Sequence, residues 1–250
     1  MERWKHFTSA DVRQFWDGVA DIYEAANDRV RDVHDQRYRE SYKYFPSKQP
    51  SRILNVWSRT GELGEFLERN GIGSFVINVE LSLRMIQNGL AKGRRGHYVQ
   101  SDLADLAVRT GAVDLVVSLE TLEHCPDPAR FLRELHRVLA PGGSLILSCP
   151  PRYAEVVLWV YERFAENHGE GPHAFLSSWT VKRLLRENGF RLLDHRGTLF
   201  VPFRHRWIRA VDQWCEKILN LCGLSDLGIR QFYHAQKISP LIYNNCRSYE

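Results

Sequence analysis

The chain has no Cys-x-x-Cys pair, no internal repeat and no low-complexity tract. No apolar run approaches the roughly 20 residues that a membrane span needs. Its cysteines, Cys125, Cys149, Cys215, Cys222 and Cys246, are scattered, so no disulfide framework is expected and a reducing, cytoplasmic setting is. Met1-Glu-Arg-Trp-Lys-His is not followed by an apolar stretch, so no secretory leader is expected. Charge of one sign is scarce too. The 34 basic and 30 acidic residues leave +4, too little to imply nucleic acid or a membrane by itself. What is present, 44% apolar and 26% charged residues over 250 positions, suits a folded chain of one large or two small domains and excludes disorder, collagen and coiled coil.

Residues 11–45 read as helix, with Phe15, Trp16, Val19, Ile22 and Tyr23 on one face and Tyr38, Tyr42 and Phe45 continuing the spacing. Pro46 and Pro50 end that region. Short apolar strands then alternate with helices. Strands are expected at 53–56, 75–79, 98–99, 113–118 and 144–148, with helices at 62–70, from Ser82, and at 128–139 before Pro141-Gly142-Gly143. This alternation predicts a parallel sheet with helices on both faces. After Pro150-Pro151 come a helix at 153–166 with Val156, Val157, Val160, Tyr161 and Phe164 on its apolar side, a glycine-rich hinge at 169–172, and a helix at 178–188 capped by Gly189. Strands at 190–200 and 229–236 flank a helix at 204–222, and the tail from Ile238 reads as irregular. The 204–222 helix carries Trp207, Val211, Trp214, Ile218 and Leu221 as one stripe, expected to pack as core; a lipid surface is the alternative.

Ligands of such sheets bind beyond the carboxyl ends of the strands, where the strand order reverses. The residues there are Trp57-Ser-Arg-Thr-Gly61, Glu80, Ser101-Asp102-Leu103 and Leu119-Glu-Thr-Leu-Glu-His124. An acid ending the second strand can accept both hydroxyls of a ribose, and Asp102 can accept from an adenine amino group. Each could instead be a helix N-terminal acid. Together, in register with the strands, they favour a nucleoside.

Asp114-Leu-Val-Val-Ser-Leu-Glu-Thr-Leu-Glu-His-Cys-Pro-Asp-Pro128, then Phe131 through Leu139-Ala-Pro-Gly-Gly143, Val79-Glu-Leu-Ser-x-x-Met85 and Asn188-Gly-Phe190 form an ordered series. Over roughly residues 50–195 the chain resembles the class I S-adenosylmethionine-dependent methyltransferases, in particular the ubiquinone/menaquinone-type group. The resemblance implies a Rossmann-like, doubly wound α/β fold with a mostly parallel seven-stranded sheet, a helical N-terminal lid (1–50), a cofactor-binding core (51–200) with a cap insertion at 151–177, and a C-terminal helix, last strand and tail (201–250). It implies S-adenosylmethionine as cofactor, held by Asn55, Trp57, Arg59, Gly61, Glu80, Leu81, Met85, Asp102, Leu103 and Leu119.

The first motif departs from the family. Asn55 replaces the usual acid, and Trp57 and Arg59 replace two glycines that let the backbone approach the cofactor. Either Trp57 faces the sulfonium and Arg59 pairs with the methionine carboxylate, or both fill the pocket and the chain is an inactive relative. His124 and His173 are the candidate general bases, with Glu120 beside them. Some relatives hold a divalent metal with a Glu-x-x-Glu-His cluster like Glu120, Glu123 and His124 plus a later histidine such as His173, which leaves a metal-dependent O-methyltransferase open. The expected reaction moves a methyl group to an oxygen, less readily to a nitrogen or carbon, of a small-molecule or lipid-linked acceptor. No nucleic-acid partner is expected, and neither the acceptor nor the oligomeric state is legible.

Overall fold

The computed structural model describes residues 6–28, 31–46, 51–72, 75–157, 159, 169, 171–198 and 206–238. The helical region expected at 11–45 is three helices: α1 (Ser9–Val19), α2 (Tyr23–Asp28) and α3 (Arg31–Tyr42). Thr8 starts α1 with a capping box, its backbone N–H donating to Asp11 and its hydroxyl accepting from the Asp11 N–H. The break after α1 leaves Ile22 exposed, while Trp16 and Tyr23 are buried. The expected shared face therefore holds only in part.

Next come β1 (Arg52–Val56), α4 (Glu62–Arg69), β2 (Phe75–Glu80), α5 (Leu83–Ala91), β3 (His97–Gln100), β4 (Val113–Leu119), α6 (Pro128–Val138) and β5 (Leu139–Cys149). The chain ends with α7 (Ser178–Glu187), β6 (Phe190–Thr198), α8 (Arg206–Leu221) and β7 (Arg230–Lys237). Ser82, Asp127 and Ser177 cap α5, α6 and α7 by accepting backbone N–H groups. β5 starts earlier than the glycines suggest. Leu139 pairs with Val113, and the register slips at Pro141-Gly-Gly before Ser144 pairs with Leu115. Of the helix expected at 153–166, residues 154–157 and 159 are helical, but Val156 is exposed rather than packed. Val160, Tyr161, Phe164 and the tail beyond Ile238 lie outside the described residues.

The strands form one seven-stranded sheet in the order β3-β2-β1-β4-β5-β7-β6. β1 to β5 are parallel to one another, and β7 runs antiparallel between β5 and β6. This is the expected doubly wound, mostly parallel fold. On one face Leu54, Val56, Val116 and Leu145 pack against Val12 and Trp16 of α1, Met85 of α5, Leu132 and Leu135 of α6 and Val181 and Leu185 of α7. On the other, Ile53, Leu115, Val117 and Ile146 meet Tyr38 of α3 and Leu63 and Leu67 of α4. Each fully buried large side chain is worth about 1.5–3 kcal/mol. The strand order reverses between β1 and β4, so their carboxyl ends open a crevice.

α1 is tied across that crevice to α5. Ser82 Oγ donates to Asp17 at 2.6 Å, Arg84 pairs with Asp21 at 2.6 Å and Asn88 donates to the Ala20 carbonyl at 2.9 Å. The apolar stripe of α8 is not core as expected. Trp214 is 65% and Leu221 79% exposed. The side chains of Trp207 and Val211 lie outside the described residues. No described helix is long and apolar enough to cross a membrane.

Candidate active site

The loop after β1 keeps the backbone of a glycine loop without its glycines. Trp57, Arg59 and Gly61 all have positive φ, at 55°, 54° and 87°. Only Gly61 takes that conformation freely, and a Cβ there would run into the Tyr98 hydroxyl, which donates to the Thr60 carbonyl at 3.0 Å. The Trp57 and Arg59 side chains are turned inward, 3% and 8% exposed. The Arg59 guanidinium lies 3.7 Å from the ring centre of Trp57 and 3.7 Å from that of Trp16 on α1, in the corner between two indoles set at 82° with centres 5.5 Å apart. Trp57 Nε1, Ser58 Oγ and Arg59 Nη1 are buried without a hydrogen-bond partner among the described residues. Trp16 joins the site although its sequence position marked it only as core.

Glu80, at the end of β2, is fully buried. Its carboxylate accepts backbone N–H groups from Arg59 at 2.7 Å, Leu81 at 2.9 Å and Ser82 at 3.0 Å. Burial pushes its pKa up to about 7, against the pull of the Arg59 charge and those three amides. It thereby fixes the first-motif loop to the start of α5. Leu81, Met85 and Leu103 share one apolar cluster with Trp16 and Trp57. Asp102 accepts from the Ala104 N–H at 2.7 Å with one oxygen.

Two of the expected cofactor residues point elsewhere. Asn55 donates to Asn78 across the β1–β2 ladder at 2.9 Å, so its side chain is engaged within the sheet. Leu119 packs against the α3–α4 side, because it alternates in step with Leu115 and Val117.

Across the crevice, His124 stands edge-on to Trp57 with ring centres 4.5 Å apart and to Trp16 at 6.0 Å. Its Nδ1 lies 2.8 Å from the Pro172 carbonyl, which can only accept, so the ring proton sits on Nδ1 and Nε2 carries the lone pair. Burial first, and the Arg59 charge second, hold its pKa well below 6.5, so the ring is neutral. His173 Nδ1 bonds the Gly171 carbonyl at 2.8 Å, and the two imidazoles are 6.2 Å apart. Phe15 of α1 packs on Gly171, where a Cβ would collide with its ring. The N-terminal helix and the segment after β5 therefore meet above the histidines.

Glu120 does not join them. It pairs with Arg230 of β7 and with Arg37 of α3, the latter at 3.6 Å. Burial alone would raise its pKa, but Arg230 and then Arg37 outweigh it, and the carboxylate stays below 4.5. Among the described residues no group of three His, Cys, Asp or Glu side chains is placed to hold a metal ion, so the alternative Glu120–Glu123–His124–His173 metal cluster is not assembled. No sequence signal linked Arg37 or Arg230 to Glu120. A cavity of about 500 Å³ lies apart, lined by Leu67, Ile72, Phe75, Val76 and His97, and touches none of these groups.

The chain is similar in sequence and fold to known proteins of one family. A methyltransferase domain family matches residues 54–147. A ubiquinone biosynthesis O-methyltransferase of Xanthomonas oryzae pv. oryzae (strain PXO99A) is 32% identical over 168 residues, covering 62% of this chain and 69% of that protein. The methyltransferase solved in complex with the Haloferax volcanii Trm112 activator aligns with a TM-score of 0.68 at 18% identity, over 91% of this chain and 98% of its own. An S-adenosylmethionine-dependent methyltransferase of Thermotoga maritima aligns with a TM-score of 0.66 at 20% identity, over 90% and 99%. None of them supports the inactive-relative alternative. This chain belongs to the class I S-adenosylmethionine-dependent methyltransferases, enzymes whose methyl donor is S-adenosylmethionine.

Proposed function

We propose that the enzyme methylates a hydroxyl oxygen of a small-molecule or lipid-linked acceptor, with His124 as the base. The observation that carries this reading is the tautomer of His124. With Nδ1–H committed to Pro172 and the ring neutral, Nε2 offers a lone pair to an acceptor O–H. The relatives named for ubiquinone O-methylation support oxygen as the target.

The side chains of the first loop suit the cofactor. Bound S-adenosylmethionine supplies an electrophilic methyl on a sulfonium. Arg59 Nη1 and Ser58 Oγ, buried and unpaired, are donors of the kind a carboxylate needs. In this reading Glu80 takes the ribose hydroxyls and Asp102 the adenine amino group, with Leu81, Met85 and Leu103 as apolar walls. Gly61 keeps the loop close to Tyr98. Trp16, Trp57 and Arg59 fill the crevice in the described state, so this cluster must open as cofactor enters and can then close to exclude water. Catalysis is chiefly alignment of the acceptor oxygen. His124 Nε2 takes its proton, and burial beside Arg59 drives the imidazolium to release it again, with His173 as the next imidazole outward.

The test combines calorimetry with a panel of phenols and amines read by mass spectrometry. O-methylated products are expected. His124→Ala should lower the rate by about 10²–10⁴-fold while leaving cofactor affinity nearly unchanged. A variant that loses affinity and rate in proportion, or wild-type enzyme methylating only amines, would overturn the assignment.

A further inference from the structure

α1 brings two adjacent aromatic rings to the His124 side of the crevice. Trp16 stands edge-on to the His124 ring itself, with centres 6.0 Å apart. Phe15, half-buried next to it, lies instead on the backbone of the segment after β5. Gly171 is buried there with a φ of 69°, and a Cβ built on it would stand 2.5, 2.8 and 2.9 Å from three atoms of the Phe15 ring. Glycine serves twice at this position, for the left-handed backbone and for the room the ring occupies. The next residue is Pro172, whose carbonyl accepts the Nδ1–H of His124 at 2.8 Å.

Beyond Pro172 the segment is stitched to the body. Ala174 donates its N–H to the Glu123 carbonyl at 2.7 Å, and Arg152 donates its N–H to the Leu176 carbonyl at 3.0 Å. Ahead of Pro172 stand Gly171 and Gly169, with φ of 69° and 72°, and Phe15 lies against both. Glycine backbone passes readily between conformations, so such residues cannot hold a neighbouring carbonyl on target without a wall. The Phe15 ring is that wall. We propose that Phe15 is a positioning residue: seated on Gly171, it fixes the Pro172 carbonyl and, through it, the tautomer of His124 that leaves the lone pair on Nε2. This rests on His124 being the base. An order of events follows. α1 is tied to α5 through Asp17, Ala20 and Asp21 and carries Trp16 over Arg59, so the cluster that opens for the cofactor opens on the same helix as Phe15. With α1 lifted, Gly171 loses its wall and Nδ1–H loses its fixed acceptor. The ring proton then divides between the two nitrogens, and a ring protonated on Nε2 cannot take a proton there. The base is set once the helix is seated again over the enclosed cofactor.

The test reads the tautomer itself, by long-range proton–nitrogen NMR of the imidazoles in the full chain saturated with S-adenosylhomocysteine at neutral pH. The His124 signal is the one missing from His124→Ala. Wild type should hold His124 in the Nδ1–H form alone, and Phe15→Ala should show both forms in exchange. On a phenol that the enzyme methylates, kcat of Phe15→Ala should fall about tenfold, short of the 10²–10⁴-fold expected without the base, with S-adenosylhomocysteine affinity within about threefold of wild type. Phe15→Leu, which keeps an apolar contact on Gly171, should recover most of the tautomer and the rate. Gly171→Ala should reproduce the defect with Phe15 present, because its Cβ displaces the ring. A packing role alone would lower the melting temperature and leave the tautomer as it was. Phe15→Ala and Gly171→Ala that keep the wild-type tautomer, while His124→Ala remains slow, would overturn the proposal and spare the base. His124→Ala at full rate would instead sink the base reading, and the positioning role with it.

Discussion

At the scale of single residues, Trp57 and Arg59 are held in a backbone conformation that costs an L-residue about 1–2 kcal/mol each. The loop shape is kept while the residues that adopt it freely are gone, so the side chains must return something. For Arg59 the return is divided. Arg59→Gly relieves the backbone and loses two cation–π contacts of about 0.5–2 kcal/mol apiece, so the melting temperature should change little. Affinity for S-adenosylmethionine should nevertheless fall about 10–100-fold, the scale of a lost charge-assisted hydrogen bond. Tighter calorimetric binding by the glycine variant would mean that Arg59 obstructs the pocket. Glu80 gives a pH test. Its pKa is raised, so the stability it contributes is complete below 4.5, its ordinary value, and is lost as pH rises through about 7. Cofactor binding runs the other way, since ribose hydroxyls donate to the ionised form. Affinity should rise with pH through about 7 and level off above it, and Glu80→Ala should remove the step; a wild-type profile without a step would take Glu80 out of the ribose site.

At the scale of elements, α1 closes the crevice by the aromatic contacts of Phe15 and Trp16 and by several polar ones. Trp16 covers Arg59, while Asp17, Ala20 and Asp21 hold α5. Entry of the cofactor therefore has an optical signature. Adding S-adenosylhomocysteine should change the tryptophan fluorescence, and Trp16→Phe, which keeps an apolar ring, should shrink that change while costing far less stability than the roughly 3–5 kcal/mol of a Trp→Ala truncation. An unaltered signal in Trp16→Phe would place the moving indole elsewhere. What the sequence made legible follows the same division. The alternation of strands and helices, the helix starts at Ser82 and Ser178 and the stop at Gly189 are local signals, and the structure has them within a residue of where expected. The position of Glu80 at the carboxyl end of β2 could be read because strand ends are fixed by topology. Leu119 could have been excluded from the crevice by its parity with Leu115 and Val117. The partners of Glu120 could not be read, because Arg37 and Arg230 lie 83 and 110 positions away in sequence and no periodicity connects them. Nor could the orientation of α8. A stripe fixes which residues face the same way but not whether that way is inward, and the polar anchors Glu216 and Asn220 decided it.

At the scale of the whole molecule, one ionic network joins the N-terminal helices to both halves of the sheet. Glu120 follows β4, Arg230 begins β7, and Arg37 of α3 reaches both Glu120 and Glu62 of α4, with Gln36 accepting from Arg230 at 3.1 Å. The two arginines are buried, and Glu120 is about a quarter exposed, at 26%. Replacing Glu120 by Gln keeps its shape and removes the charge that neutralises them. A fully buried pair broken this way costs about 3–5 kcal/mol; the partial exposure of Glu120 lowers the expectation to about 2–3 kcal/mol near pH 7. The sign with pH follows from its depressed pKa. Stability from this carboxylate is present above 4.5, its ordinary value, and is lost as pH falls through the lower value it has in the folded protein. Glu120→Gln should thus unfold at lower urea than wild type near pH 7, and the gap should close on acidification below pH 4.5, where the wild-type carboxyl becomes neutral as well. A gap that persists at about pH 3 would mean that Glu120 acts by packing or hydrogen bonding rather than charge, and one absent near pH 7 would mean that α3 is held to the sheet by Tyr38 and its apolar neighbours alone.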